Sequence, residues 1–293
     1  MYTLQMHSLL SYLFHALDVI LKQTLLSPVF VTAVVLILVC ERYFPVHRSQ
    51  PTFSLGMLQD SVWVALSIVF EAILVSAYAD GLRSLLQNRG SFLIIHPLDA
   101  WPVVLRLGIA VLMADFLAWF QHWLKHKVPW FWEFHAVHHS QREINLFTDF
   151  RFHLVEYLIS RPIVILPLVM LSLKTPTIVY WTVFINWYTR FYHANIKTNL
   201  GPLRYLVVTP QSHRVHHSIL PQHTDQNFGV LFSIWDSLFK TRYAGCQEYP
   251  PTGIVDPSFP LETKKDPFDL LWTPIRQLVY PFVAIVKNLR NSR

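Results

Sequence analysis

The chain has 293 residues, 53% of them hydrophobic and 14% charged, with a formal net charge of +6. Soluble domains carry about 25% charged residues, so the composition argues against an ordinary soluble enzyme and for one integral membrane domain. The Lys and Arg residues are scattered and form no basic stripe, which excludes a nucleic-acid-binding module; cytoplasmic loops held against anionic lipid account for the charge instead.

In chain order, the first 26 residues lack a basic leader region and a clear cleavage site. They are read as mature protein, with the character of an interfacial amphipathic helix. A spanning helix needs about 20 mainly apolar residues. The stretch 28–45 is a first candidate. The stretch 58–79, interrupted by Glu71, is a second, and 100–120, with Arg106 and Asp115 inside it, is a third. The stretches 155–173 and 175–192 form a close pair separated by "KTP" and read as a helical hairpin, its first arm kinked by Pro162 and Pro167. After residue 193 the chain turns polar and short-segmented, as a cap over the membrane helices. A Pro/Gly-rich loop follows, and 266–289 reads as an amphipathic helix on the membrane surface. The expected fold is all-α, an integral membrane helical bundle with a cytoplasmic helical cap. Residues 1–99 would form N-terminal membrane helices, 100–245 the catalytic domain, and 246–293 a C-terminal loop and amphipathic tail.

The segments 121–154 and 193–243 leave the apolar stretches on one side. They carry most of the loop Lys and Arg, so the positive-inside rule assigns them to the cytoplasm. The two cysteines, Cys40 and Cys246, form no C-x-x-C pair, so neither a disulfide framework nor a thiolate metal site is expected.

The chemistry lies in the histidines. "HWLKHKVPWFWEFHAVHHS" (122–140) holds His122, His126, His135, His138 and His139. "SHRVHHS" (212–218) repeats the H-x-x-H-H spacing with His213, His216 and His217. Residues three or four apart share one face of a helix, so each cluster can aim two or three imidazoles at one point. Asp115 lies seven residues before His122 on the same face, placed to orient a ligand histidine through its far ring nitrogen. Imidazole suits iron, zinc, copper and nickel. Eight histidines exceed the needs of one four-coordinate zinc, so two metal ions fit better. Nearby acidic residues are few (Glu133, Glu143, Asp149, Glu156), which suits iron that binds O2 more than a carboxylate-bridged hydrolytic site. Isolated histidines such as His7, His15, His47 and His96 are ordinary polar residues, while His153 and His223 are open as ligands. Two alternatives keep a metal: a histidine-rich transporter, disfavoured because the clusters lie at helix ends, and a metal-dependent lipid hydrolase.

The order H-x3-H, H-x2-H-H, then a second H-x2-H-H beyond a hairpin resembles the fatty acid hydroxylase / sterol desaturase superfamily over roughly residues 105–245. "ADFLAWFQHWLKH", "HAVHHSQREINLFTDFRFHLVEY", "FYHANIKTNLGPLRYLVVTPQSHRVHHS" and "DQNFGVLFSIWDSLFKTRY" carry the likeness. The resemblance implies a membrane-bound, non-haem oxygenase with two iron ions, for which zinc can substitute. It would hydroxylate or desaturate a sterol, fatty acyl or related lipid with O2. His122, His126, His135, His138, His139, His213, His216 and His217 would be ligands, and His193 in "FYHANI" a ninth. Some members have a further histidine a few residues on; here the next positions are Ala194, Asn195, Ile196 and Lys197, so one metal would lean on water, Asn195 or another side chain. No flavin, haem or iron–sulfur motif is present, so electrons would come from an external reductase or small carrier.

Overall fold

The computed structural model describes residues 28–67, 94–263 and 266–291, together with Phe70 and Ser84. The expectation for the first 26 residues, and for most of 68–93, lies outside them. The described residues are helical, with no strand and only three isolated bridges, Pro45–Ile196, Val207–Phe232 and Ser218–Thr252.

The helices are α1 (Pro28–Tyr43), α2 (55–67), α3 (Val103–Lys127), α4 (Pro129–His139), α5 (Leu154–Met170) and α6 (Thr175–His193). The segment after α6 adds α7 (Pro210–His216) and α8 (Ile234–Leu238), and the C-terminal segment forms α9 (Pro267–Asn291). Among the described residues only α3 is long and apolar enough to cross a membrane. The helices α1, α5 and α6 stand where apolar stretches are read, without that signature.

Prolines set the helix boundaries that matter for the site. Pro129 disfavours a helical backbone at the residue before it. Val128 is accordingly extended, with φ −99° and ψ 112°, so α3 ends and α4 starts in a new direction. Pro210 occupies the first turn of α7, where its missing N–H costs nothing. Thr209 and Ser212 close a capping box around that turn. The α5–α6 turn passes through Ser172 in the left-handed region, φ 52°.

Among the described helices, α3 packs most extensively against α5. Ala110 and Ala114 of α3 are fully or almost fully buried in a cluster with Leu168, Leu171 and Leu173, and their small side chains let the two helices approach. A second cluster joins Trp63 of α2 to Ala136 and Val137 of α4, with Phe150 and Phe259. On the outside, large apolar side chains are exposed along α1, α3 and α6. Val104 is 74% and Tyr180 76% exposed.

A buried polar knot ties the segment after α4 to the rest. Asp60 of α2 accepts from Arg151 Nε at 2.7 Å, Gln141 Nε2 at 2.7 Å, and Asn145 Nδ2 and Thr148 Oγ1, both at 2.9 Å. Arg151 also donates to Ser140 Oγ at 3.0 Å and faces Glu262 at 3.6 Å. Both charges are wholly buried. Removing one partner of such a pair leaves the other charge uncompensated, at about 3–5 kcal/mol. Asp60→Ala should therefore lower the thermal unfolding midpoint far more than Asp99→Ala at the surface, as measured by intrinsic fluorescence in detergent. Equal midpoints would show that the knot is not structural.

Candidate metal centre

Two groups of imidazoles lie side by side within the helical core. His122, His126, His135, His139 and His216 form one group, and His138, His193, His213 and His217 form the other. Within each, every residue offers a ring nitrogen within 4.8 Å of the rest. All nine histidines anticipated from the sequence are brought together. They come from the last two turns of α3, the last two turns of α4, the end of α6, and α7 with its C-cap.

The two H-x-x-H-H copies are used in opposite senses. From α4, the i, i+4 pair His135 and His139 enters the first group, while His138 enters the second. From α7, the i, i+4 pair His213 and His217 enters the second, while His216 enters the first. The groups are in contact, the rings of His139 and His217 being stacked at 4.2 Å.

The free nitrogens show what the groups fit. In the first group, all five Nε2 atoms are buried and without a hydrogen-bond partner. Buried polar atoms are nearly always satisfied, so five converging lone pairs describe a cation site. In the second group the Nε2 atoms approach one another, His138–His193 at 3.2 Å, His193–His213 at 2.8 Å and His213–His217 at 3.0 Å. Metal–nitrogen bonds of about 2.0–2.1 Å in a tetrahedron place ligand nitrogens roughly 3.3 Å apart, close to these spacings.

The opposite ring nitrogens fix the tautomers. His122 Nδ1 donates to the Phe228 carbonyl at 2.9 Å, His216 Nδ1 to the Gln226 carbonyl at 2.9 Å, and His193 Nδ1 to the Thr189 carbonyl at 2.7 Å. His135 Nδ1 donates to Glu156 Oε1 at 3.0 Å. These partners only accept, so each ring carries its proton on Nδ1 and leaves Nε2 free to bind. Glu156 has no exposed side-chain surface, and it also accepts from the buried Lys125 Nζ at 2.7 Å. The lysine neutralises the carboxylate that holds His135. Near the second group, Asp149 lies 3.6 Å from His193 Nδ1 and 3.7 Å from Arg190 Nε. Burial first, and then neighbouring imidazoles, hold His135, His138, His139, His213 and His217 well below the ordinary histidine range. Burial brings His216 down to about 4. The groups are therefore neutral donors at physiological pH.

Asp115 reaches the site by a different route from the one its helical spacing suggests. It accepts from the backbone N–H groups of Leu231 (2.8 Å) and Phe232 (3.0 Å) and from the Trp235 indole (2.8 Å). It does not hold an imidazole, because the Phe228 carbonyl takes that place at His122. Asp236, which the sequence reading passed over, accepts from the N–H groups of Phe228 and Gly229, from Trp119 Nε1 and from Thr241 Oγ1. The two carboxylates together gather the loop 228–235 under α3. A Cβ at Gly229 would lie 2.9 Å from Asp236 Oδ2, the Phe232 carbonyl and Val208 Cγ2, so no larger residue fits. Asp225 and Asn227, at φ 61° and 59°, flank Gln226 and turn its carbonyl to His216. Both residue types tolerate the left-handed region.

The remaining histidines have other tasks. His153 caps α5, accepting from the Val155 N–H and donating to the Leu278 carbonyl. His223 bonds Ser218 and Glu248. Neither joins a group. Asn195 does not join one either: its Oδ1 accepts from the His47 N–H and from Arg214, and its Nδ2 donates to the His47 carbonyl.

A family model for fatty acid hydroxylases matches residues 107–241, the segment holding both imidazole groups. Over these residues the chain is similar to the fatty acid hydroxylase family. It is 32% identical over 146 residues to an ornithine lipid hydroxylase of Rhizobium tropici, covering 49% of this chain and 43% of that protein. It is 27% identical over 181 residues to an alkylglycerol monooxygenase of Caenorhabditis elegans, covering 61% and 34%. To the alkylglycerol monooxygenase of Homo sapiens it is 31% identical over 169 residues, covering 56% and 37%. The chain thus spans less than half the length of these relatives. No solved structure matches it.

Two outcomes test the support behind the imidazoles. Loss of an outer partner of a metal-binding histidine typically costs about 10–100-fold in metal affinity. Glu156→Gln and Lys125→Met should each weaken metal binding by about that factor in competition with a chelating dye, and unchanged affinity would reduce both to packing. Gly229→Ala should displace the loop that holds His122 and lower metal occupancy, while Gly108→Ala, where nothing lies within 4 Å of an added Cβ, should leave it unaltered.

Proposed function

We propose that the protein is a membrane-bound, non-haem iron oxygenase that hydroxylates a lipid, with desaturation as the alternative outcome of the same C–H oxidation. The observation that carries this reading is the pair of all-imidazole groups, five and four strong, set beside the end of the one described helix that is long and apolar enough to cross a membrane. A hydrolytic centre would draw on carboxylates as bridging ligands. Here Glu156 and Asp149 stand behind histidines instead of among the ligands. The relatives' names, ornithine lipid hydroxylase and alkylglycerol monooxygenase, support a lipid substrate and oxygen insertion.

In this reading the five Nε2 atoms of the first group hold one iron and the four of the second hold the other, with zinc able to take either place. Iron bound there supplies O2 activation and the oxidising power to cleave an unactivated C–H bond. The chain's own residues do the rest. The Nδ1–H bonds to Phe228, Gln226, Thr189 and Glu156 keep the ligand rings aimed. Phe228 lies edge-on to the rings of His122, His126 and His216, Phe152 stacks on His138, and Tyr192 covers His193 and His213. These rings exclude water from the reacting carbon, which limits loss of the oxidant to solvent. Asp115 acts as a positioning residue through the 228–235 loop.

The exposed apolar side chains of α1, α3 and α6 support a multi-pass placement in the bilayer, and the charge distribution supports a cytoplasmic position for the site. Reducing equivalents come from an external reductase or electron carrier, whose docking on a basic cap favours an acidic partner.

An isotope experiment tests the reaction. Reconstituted with ferrous iron, a chemical or protein reductant and lipid extract under 18O2, the protein should place 18O in a lipid product 16 mass units heavier when unlabelled oxygen is used, a single oxygen atom being added. A product formed without O2 would overturn the oxygenase reading.

A further inference from the structure

The C-terminal helix α9 is amphipathic in the wrong sense for a water-soluble surface. Its inward face is small and polar, with Thr273, Pro274, Gln277, Pro281 and Ala284, of which Thr273 and Gln277 have no exposed surface. Its outward face is large and apolar. Leu271, Val279, Phe282 and Val283 are 60%, 53%, 51% and 59% exposed, and Ile275 and Val286 continue the stripe at helical spacing. A helix folding against water would turn the other way.

The inward face is firmly held. Gln277 Nε2 donates to the Pro260 carbonyl at 2.8 Å, Tyr280 bonds Asp256, and Asn288 Nδ2 donates to Glu133 Oε1 at 3.1 Å. The Leu278 carbonyl accepts from His153, the residue that caps α5, and Phe282 meets Phe134 of α4 edge-on at 5.4 Å. The orientation of α9 is therefore built in, and its apolar stripe is what the fold presents.

We propose that α9 lies in the interfacial plane of an anionic bilayer, its apolar stripe among the acyl chains. Two observations favour lipid over a second copy of the chain. The stripe continues the environment that α1, α3 and α6 already face with exposed apolar side chains. It also ends in exposed Lys287 and Arg290, which complement anionic headgroups and would repel each other across a symmetric dimer. Because α9 is bonded to α4, which carries three of the nine imidazoles, and to the cap of α5, it sets the height of the metal centre above the membrane surface. The inference rests on the membrane setting proposed above and not on the oxygen chemistry.

Depth-dependent quenching tests it. In full-length protein with Cys40→Ala and Cys246→Ala, single cysteines at Leu271, Val279, Val283 or Val286 would carry an environment-sensitive fluorophore. Cysteines at Arg276 and at Val104 of α3 serve as comparisons. The protein is reconstituted in vesicles of phosphatidylcholine and phosphatidylglycerol. Labels on the stripe should lose emission to spin-labelled lipid and resist iodide, while the Arg276 label responds to iodide. Stripe labels open to iodide, or closed to both quenchers as in a protein interface, would overturn the proposal. If the Val104 label also escaped the lipid quencher, the membrane setting itself would fail. If Val104 alone responded to lipid, only the seating of α9 would fail.

Discussion

Nine imidazoles in contact with one another, eight of them buried and His126 partly so, are the constraint on which the rest of the structure depends. Each buried ring nitrogen without a partner carries an unfavourable desolvation, and five of them converge in the first group alone. A fold keeps such an arrangement only if something favours it, and a bound cation does. The surroundings serve that end. Backbone carbonyls and Glu156 hold the far nitrogens of His122, His135, His193 and His216, Asp115 and Asp236 hold the loop that carries one of those carbonyls, and the Asp60–Arg151 knot fixes the chain immediately after α4.

The arrangement spreads its cost. Glu156 would be a lone buried charge without Lys125, and Asp60 would be one without Arg151. Glu156 meets His135 at Nδ1 only, and no carboxylate lies among the converging nitrogens, so the nitrogen set itself is neutral. A cation held there would keep its full charge instead of having it cancelled by carboxylates.

Much of the site was legible in the sequence, for a physical reason. Helical periodicity makes residues three and four apart converge, so the H-x3-H and H-x2-H-H spacings announce imidazole clusters on one face. The same periodicity could not say that His138 parts from His135 and His139, or that His216 parts from His213 and His217. That division depends on where the α3–α4 turn at Pro129 and the α7 cap at Thr209 direct each helix. The partners of the imidazoles were hidden as well. Phe228, Gln226 and Thr189 act through carbonyl groups, which carry no side-chain signature, and Glu156 meets His135 across 21 residues of chain. The position of Asp115 inside an apolar helix signals function, but spacing alone suggests an imidazole partner where the fold supplies backbone N–H groups. The helical class and the positions of α1, α3, α5, α6 and α9 followed from apolar runs and their prolines. The inward turn of the polar face of α9 did not, because periodicity gives a stripe and not the side it faces.

The most direct test of the account is the metal content of the purified chain. After anaerobic loading with ferrous iron and removal of loose metal, two ions per chain should be found, one for each imidazole group, with a Mössbauer spectrum of nitrogen-ligated high-spin iron. His126→Ala, which strips a ligand from the first group only, should weaken one ion and spare the other. A single ion in the wild-type chain, or two ions lost together with no binding preference between the groups, would contradict the division of the nine histidines into two metal sites.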